Sequence, residues 1–514
     1  MIAVLADGVG SALMGREAAT KVVENFISFF GSRPRHWTTR KALEEFARLI
    51  NRSLYNEGVA KFGRPEFMST ATVVVLEAGR LCGLNVGDSR AYLRKGGRLA
   101  QLSQDHCGLE PGRNHVITRG MGMELDVLPH FFEQELSEGD VVLLCSDGIS
   151  SVLAEEALAQ ELSMGSGARS LVNHARQCAT EETLDDLSAV IVEVRRVEFS
   201  REASTARLEI PEMLSPGQII DGFALRQPFK GNDRTWVVNR DREPFVLKFA
   251  PLEARHDDAI QSQFVREIWT ATRLESPCFV RAFTPEQQTA LYYVQEYHPV
   301  PTLKHFVEGK PLVVPEAVAL GLFLLEASQF LLRFDLAHGD VKPENILVLK
   351  RGDSLDFKLI DFGSSTEIFS TVSRAGTPTY LAPERFRGAP ISERTELFAI
   401  GVTLFHALTG KFPYGVIEPF QTPAFGAPRR PSSLNPHIPP WMEAILLRAV
   451  AAKPEERYQS YSEMKFELEN PEKVRPFYRR NAPLLERNPL AFYRTGFFLL
   501  LAATILLLLL LIDK

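Results

Sequence analysis

Two sets of short acidic motifs, in opposite halves of the chain, constrain this sequence more than any other feature. Residues 338–345 read His-Gly-Asp-Val-Lys-Pro-Glu-Asn; sixteen residues later comes Asp361-Phe362-Gly363, and then a stretch from Gly376-Thr377-Pro378 to Ala382-Pro383-Glu384. The N-terminal half holds Asp7-Gly8, Asn85-Val-Gly-Asp-Ser-Arg90, Ser146-Asp147-Gly148 and Asp185-Asp186. Oxygen-bearing side chains grouped this way suit hard divalent cations and the phosphates they neutralise. With 514 residues, and about 150 residues per domain as a guide, the chain should fold as two or three domains, each with its own core.

A composition of 45% hydrophobic and 24% charged residues with a net charge of -6 is that of ordinary globular protein and carries no nucleic-acid footprint. Cys82, Cys107, Cys145, Cys178 and Cys278 are isolated and odd in number, which argues against a disulfide framework or zinc knuckle and for a reducing compartment. The opening Met1-Ile-Ala-Val-Leu-Ala-Asp7 lacks the basic leader of a signal peptide. From Gly496 to Ile512 there is no charged residue, and Lys473, Arg475, Arg479, Arg480, Arg487 and Arg494 precede that run. A transmembrane helix over 495–512 is expected, with 471–494 as a basic juxtamembrane segment that keeps both large domains cytoplasmic.

Residues 1–196 alternate strand-like runs (Thr70 to Leu76, Leu81 to Asn85, Val141 to Cys145, Ala189 to Val194) with helical periodicity such as Arg16 to Phe30. A polar stretch ending in Pro211 and Pro216-Gly217 marks a linker over 197–217. Residues 218–470 run strands first (Trp236 to Val238, Pro244 to Phe249, Tyr292 to Tyr297) and helices later, from Val313 onward, which predicts an α+β, two-lobed domain.

In order and spacing, the motifs at 338–345, 361–363 and 376–384 resemble the catalytic loop, metal-binding triplet and Ala-Pro-Glu segment of eukaryotic-type protein kinases. The resemblance implies that Asp340 accepts a hydroxyl proton, Lys342 touches the transferred phosphoryl group, and Asn345 with Asp361 holds Mg²⁺. It implies ATP contacts from Lys248, whose ion partner would be Glu267, from Glu296 and Tyr297 at the adenine hinge, and from Gly231. Taken alone, Lys248 reads as a strand lysine snorkelling to solvent. Glu384 and Arg457 resemble the structural ion pair of the large lobe. Three departures stand out: a single glycine, Gly231, where a glycine-rich loop is usual; Gly339 in place of the arginine before the catalytic aspartate; and Glu396 in place of an aspartate that braces the catalytic loop. Lys342 and Thr377 match the pattern of serine/threonine kinases.

Asp7-Gly8, Ser69-Thr70, Gly87-Asp88-Ser89-Arg90, Asp105-His106, Ser146-Asp147-Gly148 and Asp185-Asp186 resemble, in order, the metal-dependent (PPM-type) serine/threonine phosphatases, whose fold is a β-sandwich flanked by helices. The resemblance implies a binuclear Mn²⁺/Mg²⁺ centre, with Asp7 bridging both ions, the Gly8 carbonyl on one, and Asp147 and Asp185 on the other. Asp88 reads as a fold residue, since turn aspartates bond to nearby backbone. Ser11, Met68 and Asp186 depart from the family pattern. A family strand that carries a phosphate-binding arginine and another acidic ligand is expected to be missing ahead of Asp7, with two readings open: a start assigned too far downstream, or a domain lacking part of its site.

The resulting expectation is an α+β multidomain chain: a helix-flanked β-sandwich, a two-lobed kinase fold, and a C-terminal transmembrane helix. Its expected cofactors are ATP, Mg²⁺ and Mn²⁺, its partners proteins bearing Ser/Thr or phospho-Ser/Thr and the membrane, with no nucleic acid. The alternative is an active kinase whose phosphatase-like half is a degenerate partner-binding module.

Overall fold

Alternation along Ala71–Glu77 fixes the N-terminal architecture. Val73 and Val75 face one way, into a cluster with helical residues, and Val74 faces the other, into a cluster with residues of a second sheet. A strand apolar on both faces belongs inside a layered structure. A computed structural model describes all residues except 35–36, 109–116, 181–184, 198–207, 230–231, 353, 368–375, 419–422, 477–488 and 513–514. In chain order, the N-terminal half contains β1 (Ile2–Leu5), α1 (Gly15–Gly31), α2 (Thr39–Phe62), β2 (Ala71–Glu77), β3 (Arg80–Val86), β4 (Arg90–Lys95), β5 (Arg98–Gln101), β6 (His130–Glu135) and β7 (Val141–Cys145). It ends with α3 (Asp147–Ser150), α4 (Glu155–Ser163), α5 (Ala168–Cys178) and β8 (Ala189–Glu193).

Two four-stranded antiparallel sheets, ordered β1-β2-β3-β6 and β5-β4-β7-β8, stack through Leu5, Val74, Leu81, Ala91, Phe132, Val142 and Leu144. Helices α1 and α2 cover the first sheet, and α3, α4 and α5 the second. This is the expected helix-flanked sandwich. Thr38 caps α2, its side chain accepting from the Lys41 amide, and Gly63 ends it in a left-handed conformation.

The second half opens with β9 (Ile219–Ile220), β10 (Phe223–Phe229), β11 (Asn232–Arg240) and β12 (Glu243–Phe249), followed by α6 (Asp258–Arg273), β13 (Ala282–Phe283) and β14 (Tyr292–Glu296). These six strands form one sheet in the order β13-β14-β12-β11-β10-β9. A mainly helical lobe follows: α7 (Leu303–Val307), α8 (Val314–Leu332), β15 (Leu336–Ala337), β16 (Ile346–Arg351), β17 (Ser354–Leu359), β18 (Thr366–Glu367), α9 (Glu393–Thr409), α10 (Pro431–Leu434), α11 (Pro440–Ala449) and α12 (Tyr461–Glu469). Helix α8 is apolar and long enough to span a bilayer. Its Leu320, Leu324, Leu325 and Leu331 are nonetheless buried in the core of this lobe, which accounts for the composition.

The last helix, α13 (Pro489–Ile512), starts before the expected 495 and takes Arg494 into its second turn. Phe497, Phe498, Leu499 and Leu500 on it are exposed.

Candidate active sites

The structure links Lys248, Glu267 and Asp361 in one network and Asp340, Lys342 and Asn345 in another. Lys248 sits near the end of β12, and its Nζ lies 2.6 Å from Glu267 Oε1 on α6 and 2.8 Å from Asp361 Oδ1. Burial pulls the Lys248 ammonium down, but these two carboxylates outweigh it and hold it above the usual lysine range. Burial pushes Asp361 up and Lys248 pulls it down, with a net position below the usual carboxylate range. Asp361 adopts φ 69°, and its Oδ1 accepts from the Gly363 amide at 3.1 Å. Tyr293, fully buried on β14, donates its hydroxyl to Glu267 Oε1 at 2.7 Å.

Below this network, both oxygens of Asp340 are held. Oδ1 accepts from the amide and hydroxyl of Thr377 at 2.9 and 3.0 Å, and Oδ2 meets Lys342 Nζ at 2.6 Å and Asn345 Nδ2 at 3.2 Å. Lys342 also donates to Thr377 Oγ1 at 2.6 Å. The loop carrying Asp340 rests on a buried polar support. His338 Nε2 donates to the Ile360 carbonyl at 3.2 Å, and Glu396 accepts from the His338 amide at 3.1 Å and from the Gly339 amide at 3.3 Å. Burial pushes the Glu396 carboxyl up to about 7, against these two amides.

Glycine at 339 has a steric reason. Its φ is +81°, and a Cβ there would lie 2.3 Å from the Ser364 carbonyl oxygen, so a side chain at this position strains the loop. Glu296 closes β14, its amide donating to the Arg281 carbonyl at 3.0 Å, and Tyr297 follows it. Gly231 lies outside the described residues. Arg457, with no exposed side-chain surface, grips Glu384 through two bonds of 2.7 and 2.8 Å and also donates to the carbonyls of Arg394, Ala451 and Ala452.

In the N-terminal half, Asp7 and Gly8 follow β1 and are pinned by backbone. The Thr70 amide donates to the Asp7 carbonyl at 2.7 Å, the Asp7 amide to Thr70 Oγ1 at 2.9 Å, and Ser69 Oγ to the Asp7 carbonyl at 2.8 Å. A Cβ on Gly8 would lie 2.5 Å from the Gly15 carbonyl carbon, so the loop requires glycine there to pass α1. Thr70 Oγ1 is 2.9 Å from Ser89 Oγ, and Arg90 grips Asp105 at 2.7 Å, so the Ser-Thr and Gly-Asp-Ser-Arg motifs buttress the Asp7 loop. Asp147 opens α3, and Ser146 Oγ donates to the Asp186 carbonyl at 2.8 Å, tying the loop that carries Asp185 to it.

Burial and then the fields of Asp147, Asp185, Asp186 and Asp88 push Asp7 up to about 7. Asp88, assigned above to the fold, rises to about 6 by burial and by the charge of Asp147. Asp88 thus lies in the field of Asp147, a proximity that its turn context concealed. Asp7 and the aspartates whose charges act on it are oxygen donors of the kind that hard divalent cations take. Among the described residues, no three His, Cys, Asp or Glu side chains converge into a ready cage.

Residues 1–190 match the family model of protein phosphatase 2C, and residues 234–459 that of the protein kinase domain. The serine/threonine-protein kinase PrkC of Bacillus subtilis is 30% identical over 265 residues, 49% of this chain and 39% of the relative. The serine/threonine-protein kinase PknD of Chlamydia caviae is 30% identical over 258 residues, 44% of this chain and 28% of the relative. The chain thus spans well under half the length of these curated relatives. Among solved structures, the PknI kinase domain of Mycobacterium tuberculosis aligns with a TM-score of 0.40 at 22% identity, covering 50% of this chain and 99% of that one. The catalytic domain of the serine threonine phosphatase PstP, solved with two manganese ions, aligns with a TM-score of 0.34 at 24% identity, covering 38% and 88%. The chain joins a protein phosphatase 2C domain at its N-terminus to a protein kinase domain.

Proposed function

We propose that this protein is a membrane-anchored regulator that transfers the γ-phosphoryl group of ATP to serine or threonine hydroxyls of proteins and, through its N-terminal half, removes phosphate from the same residue types. The observation that carries the reading is the continuous network from Glu267 through Lys248 to Asp361, facing an Asp340 whose two oxygens are already oriented. In phosphoryl transfer the acceptor oxygen bonds to the γ-phosphorus as the bond to the bridging oxygen of ADP breaks, and the hydroxyl proton passes to a base. Asp340 is that base, Lys342 steadies the moving phosphoryl charge, and Lys248 meets the α- and β-phosphates. Asn345 and Asp361 would hold Mg²⁺, which neutralises phosphate charge; Glu296 and Tyr297 would border the nucleotide.

In the other half, Asp7, the Gly8 carbonyl, Asp147 and Asp185 would hold the Mn²⁺ pair, whose chemistry is to deprotonate a water for attack on phosphorus. Ser69 and Thr70 hold the Asp7 backbone in place, and Ser146 holds that of the 185–186 segment. The uncharged run from Gly496 to Ile512 in α13 extends roughly 25 Å at ~1.5 Å per residue, close to a hydrocarbon core of roughly 30 Å once flanking residues are drawn in. Its run of exposed apolar side chains supports an anchor that keeps both sites beside membrane-bound targets.

A second reading, an active kinase with a degenerate phosphatase-like scaffold, is favoured by the lack of a ready three-ligand cage among the described residues. Intact mass of the full chain in detergent micelles with ATP, Mg²⁺ and Mn²⁺ separates the two. Phosphate accumulating on Asp147→Ala but not on wild type is expected for two working activities. Equal accumulation on both supports the scaffold, and none on either, with no transfer to added protein substrates, refutes the kinase.

A further inference from the structure

Helix α6 faces two ways. Glu267 points into the cleft toward Lys248, and Trp269, two residues and about 200° further round the helix, points away from it. Trp269 is 2% exposed and belongs to the hydrophobic core of the phosphatase half. Its ring meets Phe29 edge-on at 4.8 Å, Phe46 at 5.5 Å and Trp37 at 6.4 Å, and its Nε1 donates to Ser32 Oγ at 3.0 Å. One turn on, the Arg273 guanidinium lies 3.9 Å from the Trp269 ring centre and 5.0 Å from that of Phe29. Lys21 of α1, held by Glu57 at 2.6 Å, reaches Asp335 at 3.8 Å, three residues before His338.

A helix turns as a rigid body, so fixing Trp269 fixes where Glu267 points. A cavity of about 200 Å³, lined by Phe29, Leu49, Glu267, Thr270, Phe362 and Gly363, lies on this side of α6 and gives it room to roll if the seat is lost. We infer that α1 and α2 of the phosphatase half are the seat that sets the rotation of α6, which makes Phe29, Ser32 and Trp269 positioning residues for the Lys248–Glu267 pair. The inference rests on the kinase reading for its effect on turnover, but the seat itself has a separate readout.

The full chain in detergent micelles is assayed for ADP release with dephosphorylated casein as acceptor, which counts transfers whether or not phosphate is later removed. Hydrogen exchange of α6 is followed in parallel. For Phe29→Ala and Trp269→Ala we expect kcat/KM for ATP to fall at least tenfold and the α6 amides to exchange at least tenfold faster, with α9 unchanged. Trp269→Phe should recover the rate to within threefold. Leu158→Ala, a core change in α4 remote from this contact, should leave the rate within twofold. Wild-type rate and α6 protection in Phe29→Ala would overturn the inference, as would an equal loss in Leu158→Ala. Should Phe29→Ala fail to fold, Trp269→Ala against Trp269→Phe carries the same comparison of α6 exchange. Absence of turnover in the wild type would sink the kinase reading, and the exchange data would still decide whether the seat exists.

Discussion

Glu396 offers a direct test of how burial governs the catalytic loop. Its carboxyl is closed off from water and braces the amides of His338 and Gly339, and burial raises it from an ordinary value of 4.5 to about 7. At about 1.36 kcal/mol per unit, that difference corresponds to roughly 3 kcal/mol. A carboxyl raised in the folded state favours folding when protonated. Its stabilising contribution is therefore fully present below pH 4.5 and is lost as the pH rises through about 7. Glu396→Gln keeps the shape and one acceptor oxygen but has no proton to lose. With about 2–4 °C of melting temperature per kcal/mol for a domain of this size, wild type should lose about 6–12 °C relative to the variant between pH 4.5 and pH 8. Differential scanning calorimetry of the kinase transition, taken as wild type minus variant at each pH, cancels every group the two proteins share. Parallel melting curves across that range would refute the argument that burial controls this carboxyl.

Arg457→Met should destabilise the kinase half by about 3–5 kcal/mol, because it strands Glu384 and three backbone carbonyls in a closed site; calorimetry at pH 7 with the N-terminal transition as internal reference reads this directly. Restoring the familiar arginine by Gly339→Arg should lower stability without raising turnover, since the left-handed backbone costs a side chain about 1–2 kcal/mol before the contact with Ser364 is counted. An unchanged melting temperature in that variant would show that the loop relaxes freely.

Local patterns carried much of this protein in the sequence itself. The strand-like run Thr70 to Leu76 and the helical period of Arg16 to Phe30 named elements that fold close to those bounds. The spacing of Asp340 and Asn345 in one short motif grouped two residues whose side chains meet, because short-range spacing and residue type are written directly in the chain. Long-range packing was not. Asp88 looks like any turn aspartate until the fold sets it in the field of Asp147, and α8 has the composition of a membrane span until its leucines are seen inside a lobe. The absence of arginine at 339 is visible in the sequence, but its cause, a carbonyl twenty-five residues downstream, is spatial. Trp269 and Ser32, 237 positions apart, leave no periodic signature, since burial and hydrogen bonding depend on which surfaces meet after each half has folded. Sequence alone determined which chemistries the two halves are equipped for; only the tertiary structure decided which charges share a site and which helix of one half seats against the other.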